Sequence, residues 1–190
     1  MSAKDPTSAE PAWVGEVLRF WLAETPSEAR FARSDRLDAE IARRFGETIA
    51  AVAGSPPVPA GLTPRLALAA VIVLDQFPRN AFRGSPRAFA TDALALGIAR
   101  AAVDVGLDRD MDRDGRLFLY LPFEHSEDMV DQERSVALIE AIGDGEYTRY
   151  AQAHRDIIQR FGRFPHRNGV LGRASTREEI AFLEQPGSSF

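Results

Sequence analysis

The sequence has no cysteine, and Lys4 is its only lysine among 190 residues. Without cysteine the chain cannot form disulfides, thiolate metal sites or a cysteine nucleophile, and this composition is typical of the reducing cytoplasm. Schiff-base chemistry requires a lysine amine inside a pocket, which a residue so close to the terminus does not offer. Glycine-rich fingerprints of phosphate-binding and dinucleotide-binding loops are also missing. We therefore predict a cytoplasmic protein without a cofactor.

Long hydrophobic runs are absent as well. The longest apolar run, Leu66 to Leu74, is half the length of the roughly 18 residues needed to cross a bilayer. The first residues contain no apolar stretch of the kind found in signal peptides. The formal net charge of −5 makes the chain a poor binder of nucleic acid. These features predict that neither a membrane nor a nucleic acid is a partner.

What the chain does contain suits one globular domain. Hydrophobic residues make up 45% of it, which is enough for a buried core, and its length matches an ordinary domain. Residues 1–10 are small and polar, which predicts a disordered N-terminal tail. Residues 11–190 are expected to fold as a single domain.

Apolar residues recur at helical spacing from Trp13 onwards, so we predict an all-α fold with about eight helices. The second helix is expected to begin at Ser34 or Asp35, both of which are favourable N-caps. Thr63 and Pro64 predict the start of a buried third helix, because they stand in the favoured order of cap and then proline.

Prolines are expected to set several of the other helix boundaries, since proline lacks an N–H and clashes with the preceding turn. Pro78 should end the third helix, and Ser85 followed by Pro86 should begin the next one. A short helix should end at Pro122, although its residues also have strand propensity. Ser126 is expected to cap the helix after that.

Three segments interleave phenylalanine and proline with charged and amide side chains, each after a predicted helix end. They are residues 75–84, 120–128 and 161–173, and we refer to them as the motif segments. Exposed loops seldom need so many aromatic residues, so these segments should be packed and partly buried. Buried charges must then be paired with one another or face a ligand.

The polar side chains of the motif segments and of the helix before the last one form the candidate site. His125 and His166 are the candidate acid–base residues, together with Glu124, because imidazoles and carboxyls transfer protons near neutral pH. The candidate ligand-binding residues are Asp75, Gln76, Arg79, Asn80, Arg83, Glu127, His154, Arg163, Arg167, Asn168 and Arg173. Grouped arginines suit a carboxylate or phosphate, because a guanidinium donates two parallel hydrogen bonds. An equally open alternative is that these arginines pair with nearby acids in a structural network.

The motif segments resemble those of a known family, the bacterial domain-of-unknown-function family 924. The residues that carry the resemblance are Leu74–Asn80, Phe82–Gly84, Pro122–Asp128, Gln132, His154, Phe161–Asn168, Leu171–Arg173 and Thr176. The resemblance extends from about residue 14 to residue 190. It implies a TPR-like stack of about eight antiparallel helices. It implies no activity and no catalytic residue, because the family offers none to carry over.

Three functions stay open at this point. We prefer a pocket for a small anionic molecule, which requires the motif segments to meet in space. The second is a module that binds a peptide or protein partner, as TPR-like stacks do in their concave groove. The third is a metal-dependent hydrolase, for which the candidate ligands are Glu124, His125, Asp128, His154 and His166. Their spacing matches no familiar ligand pattern, and the neighbouring arginines disfavour a cation.

Overall fold

A computed structural model describes residues 10–188 of the chain. Helix α1 spans Ala12–Leu18 and continues as a π-helical stretch, Arg19–Glu24. The further helices are α2 Ser27–Arg30, α3 Asp35–Gly54, α4 Pro64–Val71, α5 Phe77–Ala81, α6 Asp92–Asp104, α7 Arg113–Glu124, α8 Met129–Glu140, α9 Gly145–Phe161 and α10 Arg177–Leu183. The described residues contain no strand, so the all-α prediction is confirmed. The predicted tail lies outside the described residues, except for Glu10.

Side-chain caps begin the helices that the sequence marks most clearly. The Ser34 hydroxyl accepts a hydrogen bond from the Leu37 backbone N–H at 3.3 Å. The Thr63 hydroxyl accepts one from Leu66 in the same way, at 3.2 Å. Each cap satisfies an N–H group that the first helical turn leaves without a partner. Both predicted helix starts are confirmed.

The third predicted helix corresponds to α4, and the prediction that Pro78 ends it is wrong. The chain passes from α4 through a π-helical stretch, Ile72–Gln76, directly into α5, which contains Pro78. Proline has no N–H to offer the carbonyl four residues earlier, which belongs to Leu74. The Thr91 hydroxyl donates to that carbonyl instead, at 2.5 Å. A distant residue therefore provides the hydrogen bond that proline cannot, and the helix continues.

Two predictions about the second motif segment are also wrong. Helix α7 does not end at Pro122 but continues to Glu124. Ser126 does not cap α8; its hydroxyl donates to Asp131 at 2.7 Å, and Asp128 accepts the capping hydrogen bond from the backbone. The short carboxylate of Asp128 caps as well as serine does, so both boundaries of the turn lie two residues later than predicted.

Helix α6 begins later than predicted. Ser85 caps only a single 3-10 turn, Pro86–Ala88, and α6 itself starts at Asp92. Phe89 lies between this turn and the helix, next to the first motif segment. The late start of α6 therefore places Phe89 and Asp92 beside the charged residues of that segment.

The core surrounds α4 and the π-helical stretch that follows it. Helix α4 contacts α1, α6 and α7, and the π-helical stretch contacts α3. Phe77 packs against Trp21 and Phe45, with ring centroids 5.5 and 4.7 Å apart. Helices α8 and α9 pack against each other, and α7 joins them to the core. This arrangement buries most of the first half of the first motif segment, whereas Arg83 and Gly84 are exposed, and it brings the end of α7 against Asp75.

No helix among residues 10–188 combines the length and the apolar character that a membrane crossing requires.

Candidate functional site

Asp75 and His125 form a hydrogen-bonded pair between the first two motif segments. Asp75 lies on the π-helical stretch and is fully buried. Its two carboxylate oxygens are 2.8 and 2.9 Å from Nδ1 of His125, and the Gln76 amide donates to it at 2.6 Å. Burial alone would raise the pKa of Asp75, but His125 and Arg79 outweigh burial and lower the pKa to about 2.

The ionised Asp75 determines which nitrogen of His125 can act on a ligand. A carboxylate only accepts hydrogen bonds, so Nδ1 of His125 must carry a hydrogen and donate it. Nε2 is then the nitrogen left for other contacts. It accepts a hydrogen bond when the ring is neutral and donates one when the ring is protonated. The imidazole is thus oriented and its tautomer is set, as in acid–base sites.

His125 lies on the wall of a cleft of about 360 Å³. The cleft is bounded by the start of α6, the end of α7 and the third motif segment. Its lining residues are Pro86, Phe89, Ala90, Asp92, Ala93, Leu96, Pro122, His125, Ser126, Glu127, Arg167 and Leu171. The cleft is therefore lined by apolar side chains and by ionisable groups together.

Arg79 holds Asp92 at the edge of this cleft. Its two terminal nitrogens donate to the two oxygens of Asp92, both at 2.8 Å, and it also donates to the Ala88 carbonyl. A bidentate pair of this kind uses both oxygens of the carboxylate. Burial raises the pKa of Asp92 despite this partner. Both oxygens of Asp92 are thus paired with Arg79, and Arg167 is the more distant of its two cations.

Arg167 is the second cation at the cleft, and its side chain is only partly satisfied. The residue is 7% exposed. Nη1 donates to the carbonyl of His125 at 3.0 Å, whereas the nearest oxygen of Asp92 is 3.7 Å away. Nε is buried and has no hydrogen-bond partner within residues 10–188. Burial and the nearby Arg79 lower the pKa of Arg167 to about 10, so it stays charged at neutral pH.

Aromatic rings hold the Arg167 guanidinium in place. Its central carbon lies 4.3 Å from the ring centroid of Phe164 and 5.0 Å from that of Phe89. Arg79 also lies over Phe89, at 4.5 Å. The negative faces of aromatic rings attract cations, so these contacts stabilise the two guanidinium groups without neutralising them. We call Asp75, Arg79, Asp92, His125 and Arg167 the cleft cluster.

Glu124 and His154 form a second, deeper pair behind the cleft cluster. Nδ1 of His154 is 2.8 Å from the Tyr150 carbonyl and 3.2 Å from a Glu124 oxygen. Burial and the charge of Asp75 raise the pKa of Glu124 to about 8, and burial lowers the pKa of His154 to about 3. Both groups are therefore uncharged at neutral pH. The His125 and His154 ring centroids are 6.3 Å apart.

Similarity to known proteins agrees with this architecture. The chain matches a family model described as bacterial protein of unknown function (DUF924) over residues 17–187. It belongs to the DUF924 family. Its fold is also similar to that of a solved protein of unknown function from Agrobacterium tumefaciens, at a TM-score of 0.84 and 39% identity. That match covers 91% of this chain and 97% of the other. No curated protein matches.

The resemblance predicted from the motif segments is thus confirmed at the level of the DUF924 family. The finer expectation of a TPR-like stack stays a prediction. In this family member, as far as the structure describes the chain, no three histidine or acidic side chains gather as metal ligands would.

Other predicted site residues of this DUF924 protein lie in ion pairs next to the cleft. Arg173 donates to both oxygens of Glu127, at 2.7 and 3.0 Å, and to the side-chain oxygen of Asn168 at 2.9 Å. Glu127 also accepts from the Phe164 backbone N–H at 2.8 Å. Burial opposes ionisation, yet Arg173 and this N–H lower the pKa of Glu127. Arg173 is therefore well neutralised.

Arg163 is neutralised in the same way. It donates to both oxygens of Glu179, at 2.6 and 2.8 Å. Arg163 and the Thr176 backbone N–H lower the pKa of Glu179 to about 2. We call Glu127, Arg163, Arg173 and Glu179 the C-terminal ion-pair network. It joins the third motif segment to the turn between α7 and α8 and to α10, and Arg163 does not line the cleft.

The remaining predicted residues also lie outside the cleft. Asn80 and Arg83 both bind Asp38 of α3, and Arg83 contacts its two oxygens at 2.5 and 2.9 Å. His166 is near Phe164, with ring centroids 5.6 Å apart. Burial and the charge of Arg167 lower the pKa of His166 to about 4, so it is neutral.

The structure thus brings Asp75, Arg79, His125 and Arg167 together, from all three motif segments. Sequence reasoning missed Asp92, which completes the cleft cluster, and Phe89, which packs against its two arginines. An aspartate in the first turn of a helix is ordinary, because it favours the helix dipole, and no local signal separates Asp92 from that role. Only the arginine pair formed across the fold identifies it.

Proposed function

We propose that the protein binds a small anionic molecule in the cleft and that the Arg167 guanidinium is its main contact. The observation that carries the proposal is the incomplete neutralisation of this buried cation. Asp92, its nearest carboxylate, is committed to Arg79 by two hydrogen bonds of 2.8 Å. Arg167 is left with one carbonyl acceptor and a buried Nε without a partner.

Burying a cation costs free energy unless an anion and hydrogen-bond acceptors compensate for it. Arg163 and Arg173 each receive a bidentate carboxylate from the protein. Arg167 is more deeply buried than either of them, yet it has none. A bound anion would supply the missing acceptors.

His125 makes the same cleft suitable for recognition of an anion by two groups. Asp75 holds its Nδ1, so Nε2 is the nitrogen available to a ligand. A protonated ring would add a second donor beside Arg167, and a neutral ring would act as a base. Only the protonated ring donates to an anion from Nε2, so the proposal rests on Arg167 as the main contact and not on the protonation state of His125.

Arg167→Met is the test of this proposal. Methionine preserves the apolar contact with Phe89 and Phe164 but removes the charge and the donors. Arg160→Met is the matched control, because Arg160 also lies over two phenylalanine rings, at 4.6 and 5.8 Å, but outside the cleft. The wild type and the control should show saturable thermal stabilisation by a panel of small carboxylates and phosphates. Arg167→Met should show none.

Calorimetric titration of the three proteins provides the second measurement. A loss of at least about tenfold in affinity is expected for Arg167→Met, which corresponds to about 1.4 kcal/mol. Equal stabilisation of the wild type and Arg167→Met by every anion would overturn the proposal. Circular dichroism establishes that each variant is folded.

A further inference from the structure

We infer that the ligand is a monocarboxylate joined to an apolar group. This inference rests on the proposed function, since it names the class of anion that the same cleft would take. Three features of the described residues support it: the charge around Arg167, its donors that have no partner and the apolar residues that line the same cleft.

The charge of the cleft favours a ligand with one negative charge. Arg167 is the one cation among the residues that line the cleft, and Asp92 and Glu127 line it too. Arg79 and Arg173 neutralise those two carboxylates by bidentate pairing. A dianion such as a phosphate monoester would meet one uncompensated cation and two nearby carboxylate groups. One negative charge of the dianion would be left without a counter-ion, so a monoanion fits better.

The free edge of the guanidinium favours a carboxylate. Nη1 of Arg167 is used by the His125 carbonyl, and Nε has no partner. Nε and Nη2 carry parallel N–H bonds on one edge of the guanidinium plane. The two oxygens of a carboxylate match that edge and would form a bidentate pair, as those of Glu179 do with Nε and Nη2 of Arg163.

The apolar lining of the cleft favours an apolar group on the same molecule. Phe89, Leu96, Pro122 and Leu171 line it, and Leu171 is 36% exposed. A hydrocarbon chain or ring placed there would remove apolar surface from water, which is worth roughly 0.8 kcal/mol for each buried CH₂ group, or about fourfold in affinity. The volume of about 360 Å³ lies within the range of ordinary small-molecule sites.

A ligand series on the full-length protein tests the inference. Octanoate has the carboxylate and the apolar chain, acetate has only the carboxylate, octanol has only the chain, and octyl phosphate has the chain with a dianionic head. In calorimetric titrations below the micelle-forming concentration, octanoate should bind at least about tenfold more tightly than acetate. Octanol and octyl phosphate should both bind more weakly than octanoate.

Two cleft variants separate the carboxylate contact from the apolar contact. Leu171→Ser should reduce the advantage of octanoate over acetate severalfold, whereas Ile180→Ser, at another exposed apolar residue, should not. Ala93→Glu adds a carboxylate to the exposed wall at the start of α6 and should abolish octanoate binding. Ala93→Gln has the same size without the charge and should retain binding.

The outcomes distinguish the ligand class from the proposed function. Equal affinity for octanoate and acetate, or tighter binding of octyl phosphate, would overturn the class while leaving anion binding intact. Binding of octanol as tightly as octanoate would show an apolar site and overturn both. If no anion binds the wild type, or if all of them bind Arg167→Met unchanged, the proposed function itself fails.

Discussion

Arg167 and Arg173 belong to the same motif segment, yet they are stabilised in opposite ways. Arg173 is about a quarter exposed and has a bidentate carboxylate, an amide oxygen and a backbone carbonyl as acceptors. Arg167 is more deeply buried and has a single backbone carbonyl at hydrogen-bond distance. If burial alone determined how many acceptors an arginine has, the more deeply buried Arg167 would have more of them than Arg173. The difference indicates that the two arginines have different roles.

The C-terminal ion-pair network therefore has the features of a structural clamp, and the cleft cluster has those of a site. In the network each arginine meets its own acid, so little interaction remains for an outside molecule. In the cleft cluster Arg79 and Arg167 share Asp92 unequally, and His125 has one nitrogen fixed and the other available. Substitutions that affect one region and spare the other test whether the two regions differ in this way.

The largest effect is expected from Asp75→Ala in the cleft cluster. Asp75 is fully buried and ionised, and it accepts hydrogen bonds from His125 and Gln76. Removing one partner of a buried charged group leaves the others uncompensated, so the free energy of unfolding should fall by about 3–5 kcal/mol. Urea denaturation at pH 7 measures this loss.

Asp104→Ala is the control for that experiment, because Asp104 pairs with Arg134 at 2.5 Å but is 58% exposed. An exposed pair contributes little, so its loss should cost less than about 1 kcal/mol. Equal losses in the two variants would mean that Asp75 is held no more tightly than a surface acid. The distinction between the cleft cluster and ordinary ion pairs would then be lost.

The second-largest effect is expected from substitution of Glu124, next to the cleft cluster. Its effect on the free energy of unfolding depends on pH. Its pKa is about 8 in the folded protein, whereas an unfolded glutamate titrates near 4.5. Between these values the folded state keeps a proton that the unfolded state has released, so rising pH lowers the free energy of unfolding. Glu124→Gln cannot titrate and avoids this loss.

The stability of Glu124→Gln relative to the wild type should therefore increase from pH 5 to about pH 8 and then level off. The gain should be on the order of 1–3 kcal/mol. Urea denaturation at several pH values measures it, and Glu133→Gln, an exposed substitution of the same kind on α8, is the control. A relative stability of Glu124→Gln that is flat with pH would show that Glu124 is ionised throughout, in conflict with its buried position beside Asp75.

The parts of the fold that could be predicted are those that local chemistry decides. Ser34 and Thr63 cap their helices through atoms three residues away, so the sequence window contains both partners. The helix through Pro78 could not be predicted, because the hydroxyl of Thr91 from another segment provides the compensating hydrogen bond. The rule that proline ends a helix therefore fails where a distant donor satisfies the carbonyl that proline leaves without a partner.

The candidate site, like the fold, could be predicted from the sequence only in part. The motif segments showed that Asp75, His125 and Arg167 are unusual, because aromatic and charged residues alternate around them. Which arginine lacks a partner could not be read from the sequence, since Arg163, Arg167 and Arg173 have similar neighbours along the chain. An arginine pairs with the acid that the fold places next to it, and the fold places Asp92 next to Arg79.

The smallest effect, and the most direct comparison of the two regions, comes from the same substitution at two arginines. Arg173→Met leaves Glu127 partly buried without its cation and removes a donor to Asn168, so it should lower the free energy of unfolding by about 1–2 kcal/mol. Arg167→Met removes a cation that lacks its own carboxylate, so stability should stay the same or increase. Urea denaturation without added anions measures both. If Arg167→Met proved the more destabilising of the two, Arg167 would be a structural residue and the difference between the regions would disappear.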